Sequence, residues 1–92
     1  MSLQLVFRKS ADWDLEDIQD YYNKRSPSIT DEFFVEFFET MDFIQDNPQL
    51  FQVRYREIRI APLHKFPYGV HYKETGDKII IYRVLHTKRY FK

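Results

Sequence analysis

The sequence predicts an α+β fold in which a helical hairpin packs on an antiparallel sheet, with the element order β-α-α-β-β-β. Three observations support this prediction. Apolar residues recur with helical spacing through residues 11–46, they alternate with a period of two through residues 57–73, and a β-branched run follows a turn near Gly76. Because 92 residues leave room for only one such unit, we expect residues 1–92 to form a single domain.

The first strand and the first helix are predicted near the amino terminus. Residues 3–8 alternate weakly and are rich in Leu, Val and Phe, which is typical of a short strand. Ser10 stands where an N-cap is expected, so the helix should start there. One apolar stripe along this helix consists of Ala11, Leu15, Ile18 and Tyr22. Pro27 ends the helix, because proline disfavours the helical conformation for the residue before it.

A second helix is predicted from Ser26-Pro27, which suit the N-cap and the first helical position, to about Asp46. The Asn47-Pro48 pair stops it. Its apolar face consists of Ile29, Phe33, Phe34, Phe37, Phe38, Met41 and Ile44. A face this broad predicts packing against both the first helix and a sheet. We expect the phenylalanines to form core rather than a cofactor site.

Three strands are predicted in the second half of the chain. Residues 57–61 and 66–73 alternate with a period of two. The turn residues 74–77 precede a nearly continuous β-branched run at 78–85, so the last two strands should form a hairpin. The run of three isoleucines at 79–81 predicts an inner strand that is covered on both faces.

Composition excludes several classes of function. The chain has no Cys, which rules out a disulfide framework, a thiolate zinc site and a cysteine nucleophile. No signal-peptide pattern and no apolar run of membrane-spanning length is present, so we expect a soluble protein of the cytoplasm without membrane contact. The three histidines, at 64, 71 and 86, are too scattered to predict a metal site, and two glycines cannot build a phosphate loop. We therefore expect no metal and no cofactor.

The formal net charge of zero hides a division along the chain. Residues 1–53 hold four basic and eleven acidic residues, a net charge of −7, whereas residues 54–92 hold ten basic and three acidic residues, a net charge of +7. This asymmetry indicates a basic surface that could meet phosphates or an acidic partner. The alternative is that the charges simply occupy solvated faces of their elements.

The basic half of the chain carries the residue types that phosphate chemistry requires. Cleaving RNA through its own 2′-hydroxyl needs a proton acceptor, cations that stabilise the charged phosphorane and an acid for the leaving oxygen. The candidate site residues are Arg59, Lys65, His86 and Arg89, with His71 and Tyr90 as further groups of the right type. The same residues would also suit a plain binding surface, so their spacing alone does not separate an enzyme from a binding protein.

The segments 58–63, 65–72 and 76–89, together with the two upstream helices, resemble the RelE/ParE superfamily of bacterial toxins, or plasmid stabilisation proteins. The resemblance covers nearly the whole chain. It implies the RelE/ParE-like, microbial RNase-like fold and the toxin of a type II toxin-antitoxin module. It also implies a cognate antitoxin as partner. The assemblies expected from the resemblance are a homo-dimer or a toxin-antitoxin hetero-oligomer.

The superfamily contains two activities, which give two hypotheses. One branch resembles ribosome-dependent mRNA endonucleases, and the other resembles inhibitors that bind DNA gyrase. The nuclease branch usually has an Arg after the Tyr that opens the third strand, in a Tyr-Arg-x-x-Tyr pattern, whereas this chain has Gly69. The His86-Thr87-Lys88-Arg89 ending resembles the His-x-x-Arg ending of ParE-like members. The resemblance therefore favours a non-enzymatic gyrase inhibitor, with a metal-independent mRNA endoribonuclease or a nontoxic RNA-binding relic as alternatives.

Overall fold

A computed structural model describes residues 3–90 of the chain, with side chains described as far as Lys88. The elements follow in the order β1 (Gln4–Phe7), α1 (Lys9–Asn23), α2 (Pro27–Asp46), β2 (Val53–Tyr55), β3 (Ile58–Pro62), β4 (Tyr68–Thr75), β5 (Lys78–His86) and α3 (Thr87–Tyr90). The five strands form one sheet in the order β1-β5-β4-β3-β2. α1 and α2 cover one face of this sheet, and the core lies between the two layers.

The predicted α+β class, with a helical hairpin on a sheet, is confirmed, but the sheet differs from the prediction in two ways. β1 runs parallel to β5, whereas all other neighbouring strands are antiparallel. A fifth strand, β2, lies at the opposite edge. The sequence did not indicate β2, because it has only three residues and all of them are exposed. The pairing of β1 with β5 joins residues more than 70 positions apart, which no local pattern encodes.

The prediction that Ser10 caps α1 is wrong. The helix begins at Lys9 with Arg8 at the N-cap position, and no side chain caps it. The Ser10 hydroxyl instead donates a hydrogen bond to the carbonyl of Tyr82, at 2.6 Å. This bond satisfies a backbone group on the edge of β5 beyond the point where β1 stops pairing. Ser10 thus links α1 to β5 and does not cap the helix.

α2 begins and ends close to the predicted residues. Ser26 lies at the N-cap and Pro27 at the first helical position, and Asn47 is the C-cap. Phe33 and Phe37 are fully buried, and their stacked rings lie 6.1 Å apart at the centre of the core. Because each buried aromatic ring removes about 150 to 250 Å² from water, this row of rings accounts for much of the stability of so short a chain.

A bulge in β5 adjusts the register of the central hairpin. Tyr72 pairs with Ile81 and His71 pairs with Arg83, so Tyr82 is an extra residue in β5. Ile81 and Val84 are therefore both buried in the core, although they are three residues apart. The Ile79–Ile81 run lies in an inner strand as predicted, but only its first and last residues are buried, and Ile80 is half-buried.

Two loops beside α2 are held by buried polar side chains. The Glu36 carboxylate, on the core side of α2, accepts hydrogen bonds from the backbone N–H groups of His64 and Lys65 in the β3–β4 loop. The Tyr72 hydroxyl donates to the carbonyl of Pro48 at 2.9 Å, and so fixes the α2–β2 loop. Burial raises the pKa of Tyr72 to about 12, which keeps this donor protonated.

Candidate functional site

An open cleft of about 710 Å³ lies between α1 and the end of the central hairpin. Tyr21 and Tyr22 of α1 form one wall, and Tyr68 and His86 form the other. The remaining polar lining side chains are Asp14, Asp17, Arg25 and Lys88. The cleft therefore combines aromatic walls with both signs of charge, at the end of the sheet where β4 starts and β5 ends.

The aromatic walls of the cleft contact one another and the core. The rings of Tyr22 and Phe66 meet edge to face at 5.4 Å, and those of Tyr68 and His86 meet in the same way at 5.4 Å. Burial raises the pKa of Tyr22, and a hydrogen bond with Tyr68 opposes the shift. The Tyr22 phenol is consequently a neutral hydrogen-bonding group near pH 7.

His86 stands where β5 passes into α3. Its Nδ1 accepts a hydrogen bond from the backbone N–H of Lys88, at 3.2 Å. A neutral imidazole has one donor and one acceptor nitrogen, so this bond assigns the proton to Nε2. His86 is thus a hydrogen-bond donor in the cleft when neutral, and Lys88 and Arg25 add two cations to the lining. Such a set of donors suits an anionic group.

Asp14 fixes α1 against β5 at the edge of the cleft. Its carboxylate accepts two hydrogen bonds from the Arg83 guanidinium, at 2.7 and 3.0 Å, and one from the backbone N–H of Val84, at 2.9 Å. The bond to Asp14 raises the pKa of Arg83. Because bidentate pairs of this kind hold a defined geometry, Asp14 and Arg83 set the distance between the two walls.

Of the predicted site residues with described side chains, only His86 lines this cleft. Arg59 lies on β3, opposite Tyr72, whereas His86 lies opposite Tyr68. Tyr68 and Tyr72 are four residues apart on β4, which is about 13 Å of extended strand. Lys65 lies in the β3–β4 loop, beside α2. Arg89 belongs to α3, and its side chain lies outside the described part of the structure.

Arg59 holds a loop in the folded protein. Its guanidinium donates to the carbonyl of Phe51 at 2.6 Å and to that of Gln49 at 3.3 Å. Both carbonyls belong to the α2–β2 loop, which the Tyr72 hydroxyl also contacts. Arg59 is therefore committed to backbone groups on its own chain.

Gly69 has a steric reason to be glycine. A Cβ atom at this position would lie 2.9 Å from Cγ2 of Ile60 on the neighbouring strand. Because contacts below 3.0 Å require a neighbour to move, a larger residue here would require the Ile60 side chain to shift. At the position where the nuclease-like pattern has an Arg, packing against Ile60 thus favours glycine.

Three further residues shape the site, Asp14, Tyr22 and Tyr68, and none of them was among the candidate site residues predicted from the sequence. Their roles arise from contacts between α1 and the β4–β5 hairpin, more than 45 residues away. No local sequence pattern predicts such contacts. Over residues 3–90, no group of three or more His, Asp or Glu side chains is arranged to hold a metal ion. Within the same residues, no helix is both long and apolar enough to cross a membrane.

Two helices on one face of a five-stranded sheet define the chain as a small α+β protein. A solved structure has the same fold. The chain superposes on a structure titled "Chromosomal ParDE TA system from P. aeruginosa" with a TM-score of 0.80 and 20% sequence identity, covering 92% of this chain and 96% of that one. At this identity the likeness establishes the fold. No curated protein matches the chain.

Residues 5–91 match the protein family described as ParE toxin of type II toxin-antitoxin system, parDE. The chain therefore belongs to the ParE toxin family, and the resemblance to RelE/ParE toxins is confirmed. Membership in this family implies an antitoxin as partner.

Proposed function

We propose that this chain is a growth-inhibiting toxin that acts by binding DNA gyrase and not by cutting mRNA. Membership in the ParE family supports the proposal. The observation that carries the choice between the two activities is Gly69, which has no side chain where the nuclease pattern has an arginine, and where a larger residue would require Ile60 to shift. Because losing one charge stabiliser costs a factor of about 10² to 10³ in rate, a nuclease without it would be feeble.

The arginine on the adjacent strand supports the same choice. Arg59 lies on the adjacent strand, but its guanidinium is bound to the carbonyls of Gln49 and Phe51. Turning it towards a phosphate would leave those carbonyls without their charged donor and release the α2–β2 loop. Under this proposal, Lys65, His86 and Arg89 contribute to a binding surface, Arg59 holds the α2–β2 loop, and no cofactor takes part.

The decisive experiment compares two assays of the purified protein. We expect it to inhibit DNA supercoiling by gyrase or to trap cleaved DNA, and to leave mRNA on translating ribosomes uncut. New mRNA cuts that disappear in the His86→Ala variant would contradict the proposal and establish the nuclease alternative.

The cleft is the observation that favours the RelE-like nuclease as second candidate, because His86, Tyr68 and Lys88 together could bind and protonate a phosphate group. Paired variants distinguish the candidates. For a gyrase-binding protein, Arg89→Glu should weaken toxicity more than His86→Ala, since it places like charge against an acidic target. For a nuclease, both variants should abolish cleavage while ribosome binding persists.

We further propose that an acidic segment of the antitoxin neutralises the toxin in the cytoplasm by covering the basic half of the chain. The net charge of +7 on residues 54–92 supports this. Inducing the toxin alone should stop growth, and coexpressing the antitoxin should restore it. Because charge complementarity is screened over about 10 Å at 0.1 M salt, their affinity should fall as salt is added. Normal growth with confirmed expression, or a salt-independent affinity, would contradict this view.

A further inference from the structure

The turn between β2 and β3 has an unusual backbone for its residues. Tyr55 pairs with Ile58, so Arg56 and Glu57 form a two-residue hairpin loop. Both have positive φ, of 45° and 65°. Hairpin loops with this geometry are dominated by Asn, Asp and Gly, because other side chains at positive φ clash with the backbone. Because neither Arg56 nor Glu57 is a typical turn residue, the alternating pattern predicted Glu57 as part of a strand.

Packing within the protein does not explain why these two residues are used. Both side chains are exposed. Glu57 makes one weak ion pair, with Lys73 at 3.6 Å. Arg56 forms no hydrogen bond and no ion pair with any residue of the described part of the chain. Strain that is not used in the fold points to a role outside it, since strained backbone persists where function needs the residue.

The surface around the loop is suited to a protein partner. β2 is an edge strand, and its outward backbone groups have no strand neighbour in residues 3–90. Val53 on β2 is 44% exposed, and Leu50 in the preceding loop is 63% exposed. The hairpin therefore combines the exposed Arg56 with exposed apolar side chains. This combination of an arginine and apolar surface is typical of the centre of protein interfaces.

We propose that the β2–β3 loop presents Arg56 to a carboxylate on the protein target, and that the positive φ angles are retained for this purpose. The inference rests on the proposed function, in which that target is DNA gyrase. A guanidinium matches a carboxylate with two parallel hydrogen bonds. A nucleic acid fits less well, because the exposed neighbours Leu50 and Val53 offer no hydrogen-bond donor to a phosphate, and the pI of about 6.8 lies below the range, above about 9, of dedicated nucleic-acid binders.

Two matched variants separate the effect of the Arg56 side chain on binding from the effect of the positive φ angles on stability. Arg56→Asn and Glu57→Gly each place a residue that tolerates positive φ in the same loop, so each should raise the melting temperature by a few degrees. We expect Arg56→Asn to raise the concentration needed for half-inhibition of gyrase supercoiling about tenfold or more, as for the loss of a charged hydrogen bond. Glu57→Gly should leave that concentration unchanged, and Arg56→Lys should lie between.

The outcomes distinguish this inference from the proposed function. If the parent inhibits gyrase and Arg56→Asn inhibits it equally well, the inference is overturned and the proposed function stands. If the parent has no effect on gyrase, the proposed function fails and the inference fails with it. A melting temperature that rises in neither variant overturns the argument from strain. Binding of the parent to a labelled 20-base-pair duplex that Arg56→Asn abolishes would reassign Arg56 to nucleic acid.

Discussion

The two faces of the sheet bury strand β4 by different means. On the side of the helices, Val70 and Tyr72 are fully buried against apolar side chains. On the opposite side, His71 is equally buried, at 1% exposure, but its Nδ1 is hydrogen-bonded to the Tyr55 hydroxyl at 2.8 Å. Burial of apolar area stabilises without regard to pH, whereas burial of an imidazole depends on keeping it neutral. The comparison shows that residues of one strand can stabilise the fold in two ways, one independent of pH and one dependent on it.

The largest effect is expected on the helix side. Phe37 is 1% exposed and contacts the rings of Phe7 and Phe33, so Phe37→Ala should lower the free energy of unfolding by about 3 to 5 kcal/mol. Urea unfolding at pH 7 measures this change. A chain of this size has about 5 to 10 kcal/mol in total, so the variant should be close to unfolding. An unchanged midpoint would mean that the core does not depend on this ring.

On the side of the sheet opposite the helices, His71 should make the free energy of unfolding depend on pH. Burial, and then the charge of Arg83, lower the pKa of His71 to about 4, from 6.5 for an unperturbed imidazole. As the pH falls through 6.5, the unfolded chain therefore binds a proton before the folded one does, and stability is lost until about pH 4. Between pH 7.5 and 5.5 this group should cost about 1 kcal/mol.

Urea unfolding at pH 7.5 and 5.5 tests this, with His71→Gln as the control. Glutamine can still bond to Tyr55 but does not titrate, so the variant should lose about 1 kcal/mol less than the parent over this range. Equal pH dependence in both proteins would show that folding does not change the pKa of His71.

The smallest effect is expected at the surface. Lys73 and Glu57 form an ion pair at 3.6 Å in which Glu57 is 80% exposed. Solvent screens such pairs, so Lys73→Gln should change the free energy of unfolding by less than about 0.5 kcal/mol. A larger loss of unfolding free energy, measured by urea unfolding, would indicate that Lys73 helps to bury the face of the sheet opposite the helices.

Periodic segments were predictable from sequence, and long-range polar contacts were not. The limits of α2 follow from Ser26-Pro27 and Asn47-Pro48, and the β4–β5 hairpin follows from the turn at Gly76, whose φ is 52°. The parallel pairing of β1 and the bond from Ser10 to β5 join ends of the chain that share no local pattern. Among the site residues, the sequence showed that Arg59 is basic and lies on a strand. That it binds the α2–β2 loop depends on the tertiary fold.

The position of β5 has a consequence for synthesis. This strand lies between β1 and β4, yet the ribosome makes it after all the other strands. β1 and the bonds of Ser10 and Asp14 wait for residues that emerge about 70 positions later. The nascent chain therefore leaves its row of phenylalanines without the complete sheet until β5 has been made, and its folding depends on non-local contacts. A partner already present in the cell would meet this chain before its sheet has closed.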